Sequence, residues 1–168
     1  MAVTQQIARV AQGILEEMSA NPEVLDRLLR FKLTGPEDIL DLDWAPKALL
    51  ALAQDSLSEA QVRALRDLLE GSKRLNKECA TGLQDDLVWS DVTCLYPSEV
   101  QHASSILAGL TSSDILRSFP PTREAQMELR GAMLPDDPVE YYAAHFTALL
   151  HFAERAADRG LGLALWWD

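Results

Sequence analysis

The chain has 168 residues, 48% of them hydrophobic and 24% charged, with a formal net charge of −11 at pH 7. This is the composition of a folded rather than a disordered chain, and the length suits one domain, residues 1–168, around one core of ordinary size. The negative charge argues against nucleic acid and against anionic membrane surfaces, both of which call for clustered Lys and Arg, and it favours solubility or a basic protein partner.

No apolar run reaches the roughly 18 residues that cross a bilayer. The opening Met1 to Gln6 lacks a basic segment followed by an apolar one. A cytoplasmic protein is therefore expected. Cys79 and Cys94 fit neither a zinc pattern nor a CxxC redox pair, and they read as reduced thiols.

In chain order, Val3 to Val10 has β-favouring ends and no helix cap, and reads as the first strand. Gln12 to Ser19 is a short helix. Asn21 as N-cap with Pro22 in the first turn opens a second helix through Val24, Leu25, Leu28 and Leu29. Thr34-Gly35-Pro36 is a turn. Asp43 as N-cap with Pro46 in the first turn begins a helix that carries the apolar run Ala48 to Ala53. Ser58 and Gln61 make a capping box for Glu59 to Glu70, which Gly71 ends. Gly71 to Asp86, with Lys73, Arg74 and Lys77 among polar residues, reads as a surface loop. Leu87 to Leu95 is rich in β-formers and reads as a strand.

Pro97 opens a helix over Ser98 to Leu110, a short helix runs from the Thr111-Ser112-Ser113 cap to Phe119, and Arg123 to Met133 forms another. Leu134 to Pro138 is a loop. Val139 to Arg159 is then a long amphipathic helix, about 30 Å in length. Val139, Tyr142, Phe146, Leu149, Leu150, Ala153 and Ala157 share its apolar stripe, with Thr147, His151, Glu154, Arg155 and Asp158 on the wet side. Gly160 stops it, and Leu161 to Trp167 is a short apolar strand. The plan is α+β: a helix-rich single domain whose terminal strands pair with one internal strand in a small sheet, packed by the long C-terminal helix.

Four stretches resemble the bacterial domain-of-unknown-function family 1877, the YfbM-like proteins. They are Val3-Thr4-Gln5-Gln6-Ile7-Ala8-Arg9-Val10, Leu40-Asp41-Leu42-Asp43-Trp44-Ala45-Pro46, Leu95-Tyr96-Pro97-Ser98-Glu99-Val100, and His145-Phe146-Thr147-Ala148-Leu149 continued by Ala156-Ala157 and Leu163-Ala164-Leu165-Trp166-Trp167-Asp168. The resemblance implies a single α+β domain with terminal strands and implies no activity. Tyr96 departs from it, standing where the family usually has a Thr or Ser cap before the proline. Gly71 to Asp86 matches nothing in it.

Candidate chemistry is sparse. Glu37, Asp38, Asp41 and Asp43 put four carboxylates within seven residues, a set that can bind Mg²⁺ or Ca²⁺ through oxygen. Without a glycine-bearing loop or a second acidic motif, helix capping is the preferred reading and no metal is expected. His145 lies beside Tyr141 and Phe152 on the flank of the apolar stripe; it reads first as a boundary histidine with one satisfied hydrogen bond, and a general base is the alternative. Trp44, and Trp166 or Trp167, are either core residues or the walls of a groove. There is no GxSxG, GxGxxG or P-loop, and no cofactor is implied. Two functions stand. The first is a non-catalytic binding or protein-interaction domain, one version of which neutralises a toxin. The second is a small enzyme, or a metal- or small-ligand-binding protein, with Asp41, Asp43 and His145 in one cleft. Asp41, Asp43, Trp44, His145 and Trp166 are the residues such a site would use.

Overall fold

Both ends of the chain meet in the middle of the sheet. In the computed structural model, which describes residues 4–75, 91–130 and 135–168, β1 (Gln5–Val10) pairs antiparallel with β5 (Gly162–Trp167) along its whole length. Gln5 faces Trp167 at one end and Val10 faces Gly162 at the other. Three short strands, β2 (Ile39–Asp41), β3 (Lys73–Arg74) and β4 (Thr93–Leu95), complete a five-stranded antiparallel sheet in the order β2-β1-β5-β4-β3.

The α+β plan with paired terminal strands is as the sequence implies. Two strands are additions to it. β2 lies in the approach to a helix and β3 in the stretch read as a loop; each is two or three residues long, too short to show an alternation, and exists only by bonding to a neighbour. Of the strand expected over Leu87 to Leu95, the described part is Thr93–Leu95; residues 87–90, and 76–86 of the expected loop, lie outside the described residues.

The helices are α1 (Gln12–Ala20), α2 (Pro22–Leu29), α3 (Ala45–Ser56), α4 (Glu59–Glu70), α5 (Pro97–Leu107), α6 (Ser112–Ile115), α7 (Arg123–Arg130) and α8 (Pro138–Asp158), with 3₁₀ turns at Pro36–Asp38 and Leu116–Ser118. They cover both faces of the sheet, which is why every residue of β1 is buried. On one face Ala8, Val10, Ala164 and Trp166 pack against Leu15 and Met18 of α1 and Leu25 and Leu28 of α2. On the other, Ile7, Leu163 and Leu165 join the larger core built by α3, α4, α5 and α8.

Local chemistry sets the helix ends. Asn21 accepts the Glu23 N–H at 3.0 Å ahead of Pro22, and Asp137 accepts the Glu140 N–H at 3.0 Å ahead of Pro138. Ser58 and Gln61 form the expected reciprocal box. At α5 the tyrosine in the cap position contributes only its backbone: the Tyr96 N–H donates to Glu99 Oε2 at 2.7 Å. Gly160, at φ 63°, ends α8, with the Leu161 N–H returning to the Ala156 carbonyl at 2.9 Å. The apolar stripe of α8 buries Tyr142, Phe146, Leu149 and Ala153. Val139 departs from it, 47% exposed, because it lies in the first turn before the helix reaches the core at Tyr142.

Gly162 is where β5 passes closest to its surroundings. A Cβ there would fall 2.5 Å from the backbone oxygen of Leu95 and 2.5 Å from Leu15 Cδ1. Gly162→Ala is expected to cost about 1–3 kcal/mol through overpacking, seen as a lower urea midpoint at unchanged m-value. An unchanged midpoint would contradict this packing.

Candidate functional site

The carboxylates of residues 37–43 do not gather on one point; Asp38, Asp41 and Asp43 each answer a different partner. Asp38 joins two arginines. Arg9 Nε lies 2.9 Å from Asp38 Oδ1, and Arg159 holds the same carboxylate at 2.5 and 3.2 Å. Arg9 is 5% exposed, also donates to the Glu37 carbonyl, and lays its guanidinium 4.2 Å above the Phe152 ring. Hydrogen bonding from Arg159, with the nearby Arg9 charge, holds the Asp38 carboxyl below the ordinary carboxylate range, and burial lowers the Arg9 pKa. Asp41 Oδ1 accepts the backbone N–H of Asp43 at 2.7 Å. Among the described residues no group of three His, Cys, Asp or Glu side chains is placed to hold a metal ion.

Asp43 is not the N-cap of α3. Trp44 occupies that position, without a side-chain cap bond, and Asp43 lies one residue earlier in the left-handed region at φ 49°. Two bonds to β1 impose this turn: the Leu42 N–H donates to the Gln5 carbonyl at 2.8 Å, and the Gln5 N–H donates to the Asp43 carbonyl at 3.0 Å. Asp tolerates this conformation better than most side chains. Its carboxylate is turned toward α8, where Oδ2 accepts the Tyr141 hydroxyl at 2.8 Å, and the same hydroxyl accepts the Trp44 N–H at 3.3 Å.

One helical turn along α8, His145 Nδ1–H donates to the Tyr141 carbonyl at 2.8 Å, and the His145 and Tyr141 rings lie 4.2 Å apart. A carbonyl only accepts, so the Nδ1 proton is assigned. The fold thus brings Asp43, Trp44 and His145 around Tyr141, a residue noticed in the sequence only as a neighbour of His145. Asp41 reaches the group through the Asp43 backbone alone. Trp44 is 41% exposed beside it. Trp166 is elsewhere, 1% exposed on the α1–α2 face with its ring 5.8 Å from Phe31. Cys94 is buried, and burial pushes its thiol up to about 11, out of reach of nucleophilic use at neutral pH.

Among the described residues, a concavity of about 560 Å³ lies between α3 and the sheet, a volume within the range of small-molecule sites. Its floor is the sheet face that carries Gln5, Thr93, Leu165 and Trp167. Pro46, Leu50 and Ala51 of α3 form one apolar wall, flanked by Lys47 and Gln54; Leu69 and Glu70 at the end of α4 close it, beside Asp91. Strand alternation sends the Trp166 indole to the opposite face and the Trp167 side chain to this one. Gln5 is 3% exposed; its Nε2 donates to the Leu69 carbonyl at 2.6 Å, and its Oε1 has no partner among the described residues. A smaller cavity of about 350 Å³ lies beside α5 and α8 and is lined in part by His151. Sequence reasoning missed the groove because Gln5, Lys47 and Glu70 lie in three separate elements. The available signal was Trp167, read in the sequence as core or groove wall and placed on the groove floor by the structure.

The fold is that of a solved structure, the YfbM protein of unknown function from Escherichia coli, at a TM-score of 0.62 and 16% identity, over 98% of this chain and 99% of that one. The YfbM-like resemblance seen in the sequence therefore holds in the arrangement of the whole chain. No protein-family model and no curated protein sequence matches the chain.

Two outcomes follow from this geometry. Tyr141→Phe leaves the Asp43 carboxylate and the Trp44 N–H without their shared hydroxyl, a latch between α8 and the start of α3, and is expected to cost about 1–2 kcal/mol, measured by denaturant unfolding; no loss would contradict this latch. The Asp38 pKa is depressed on folding, so the stability it contributes is complete above the ordinary carboxylate pKa of 3.8 and is lost as pH falls through the depressed folded value. Asp38→Asn is expected to flatten that part of the acid limb while costing about 3 kcal/mol at neutral pH, because Arg9 stays buried without its counter-ion. Parallel stability–pH curves for the two proteins would refute the pairing.

Proposed function

We propose that this is a non-catalytic binding domain whose ligand seats in the groove between α3 and the sheet. The observation that carries the reading is the groove: about 560 Å³, with an apolar wall on α3, a floor that mixes Leu165 and Trp167 with Gln5 and Thr93, and the charged Lys47, Glu70 and Asp91 in its lining. The residues that a catalytic reading would use support it indirectly. Asp43 and His145 are both bonded to Tyr141, one through the hydroxyl and one through the carbonyl, so they hold the α3 entry to α8 rather than face a common reactant.

A protein-interaction role is the second reading, favoured by the half-exposed Trp44 at the Asp43–Tyr141 latch on a chain of net charge −11, a surface that suits a basic partner. No helix of the described residues is long and apolar enough to cross a membrane. The cytoplasmic setting belongs to the proposal and is supported by the free, buried Cys94.

Thermal unfolding against a panel of small molecules with apolar bodies and cationic, anionic or zwitterionic ends tests the groove. A ligand at 100 times its Kd stabilises by about 2.7 kcal/mol. At least one member is expected to stabilise the parent and to leave Ala51→Trp, which fills the groove, unaffected. A panel without effect, or equal effects on both proteins, would count against the groove.

A further inference from the structure

We infer that the groove takes a zwitterion of amino-acid size with an apolar side chain, an inference that rests on the groove being a binding site. Two charges that line it have the wrong sign for the helices that carry them. Lys47 lies in the first turn of α3, at the positive end of that helix, where an acidic residue would be favourable and none is present. Glu70 is the last residue of α4, at the negative end of that helix, where a basic residue would be favourable and none is present. Neither forms an ion pair among the described residues, with each other or with anything else. Local rules broken without a compensating contact are characteristic of functional positions.

The helical hairpin brings the two helix ends that carry these charges to the same end of the α3–α4 pair. α3 and α4 are joined by a two-residue link, Leu57 and Ser58, and pack together, so the start of α3 lies near the end of α4. The groove then has one donor corner, Lys47, and one acceptor corner. Glu70 supplies the acceptor corner with a carboxylate; Asp91, ion-paired with Arg74 at 2.7 Å, adds a second. Gln5 adds a buried amide whose donor side is occupied by the Leu69 carbonyl, leaving Oε1 unpartnered. A buried acceptor without a donor calls for one. An ammonium group answers the acceptor corner, a carboxylate answers Lys47, and the apolar wall of Pro46 and Leu50, with Leu165 and Trp167 of the floor, receives the side chain. A free amino acid such as leucine or phenylalanine carries all three groups on one carbon.

The test is calorimetric titration of the full chain with L-leucine and L-phenylalanine. Each is compared with its amine-only analogue (3-methylbutylamine, 2-phenylethylamine) and its carboxylate-only analogue (4-methylpentanoate, 3-phenylpropanoate). Lys47→Gln and Glu70→Gln are run in parallel; both side chains are exposed, and neither substitution touches the core. We expect at least one amino acid to bind about tenfold or more tightly than both of its analogues, a charge-assisted bond lost in each comparison. Lys47→Gln is expected to remove the advantage over the amine, and Glu70→Gln the advantage over the carboxylate. Both variants should melt no lower than the parent when free, since each removes a charge that opposes its helix dipole; a merely structural role would lower the melting temperature instead. A single-charge analogue that binds as tightly as the amino acid overturns the zwitterion and leaves the groove standing. Amino-acid binding unaffected by both variants places the ligand elsewhere and overturns the inference. Absence of binding by all six compounds overturns the zwitterion, and the groove falls with it only if the wider panel is also silent.

Discussion

The structure depends on the pairing of its first and last strands. β1 and β5 are central neighbours, and β2, β4 and, through β4, β3 are built outward from them. The register of that pair decides which residues enter which core. With Gln5 opposite Trp167, the side chains of Ile7 and Leu165 point to the large core and those of Ala8 and Trp166 to the small one. A slip of one residue would exchange the two sets. The same register brings Gln5 and Trp167 together on the floor of the groove, so the site is a consequence of how the chain ends meet. Because the two strands lie at opposite ends of the sequence, the core closes only when nearly the whole chain is in place.

Charge is arranged in two ways within this frame. Arg9 and Arg159 face inward onto Asp38 and tie β1, the 3₁₀ turn before β2 and the end of α8 into one point. Their ion pairs are short and, at Arg9, shielded from solvent, which is where the loss of one partner costs most. Lys47 and Glu70 belong to no such pair. Two kinds of charge are thus present, those bound into the frame and those left open in the lining of the groove.

Much of the frame was legible in the sequence, and the reason is length. α8, at 21 residues, repeats its apolar pattern often enough to define a face, and caps such as Asn21, Asp137 and the Ser58–Gln61 pair are local signals. β2 and β3 were not legible, since two or three residues carry no period. Asp43 misled because Pro46 marks a helix start without showing which of the preceding residues is the cap; only the bonds to Gln5, far away in sequence, place Asp43 in the left-handed region and give the cap position to Trp44. The cluster at Tyr141 was half visible, in Asp43, Trp44 and His145, but the tyrosine that joins them reads in sequence as one more aromatic on an amphipathic helix. Of the groove only Trp167 was visible, since its polar residues come from β1, α3, α4 and β4 and meet only once the hairpin of α3 and α4 has closed over the sheet.

The central claim is that ligand meets this protein between α3 and the sheet. The most direct measurement is two-dimensional NMR of the isotopically labelled chain during titration with a ligand that stabilises it, following the Gln5 side-chain amide, the Trp indole N–H groups and the backbone amides. The account predicts shifts concentrated at Gln5, the Trp167 indole, Lys47 to Gln54, and Leu69 and Glu70, with the Trp44 indole and His145 little changed. Shifts gathered instead around Trp44, Tyr141 and His145 would contradict it and return the site to the latch.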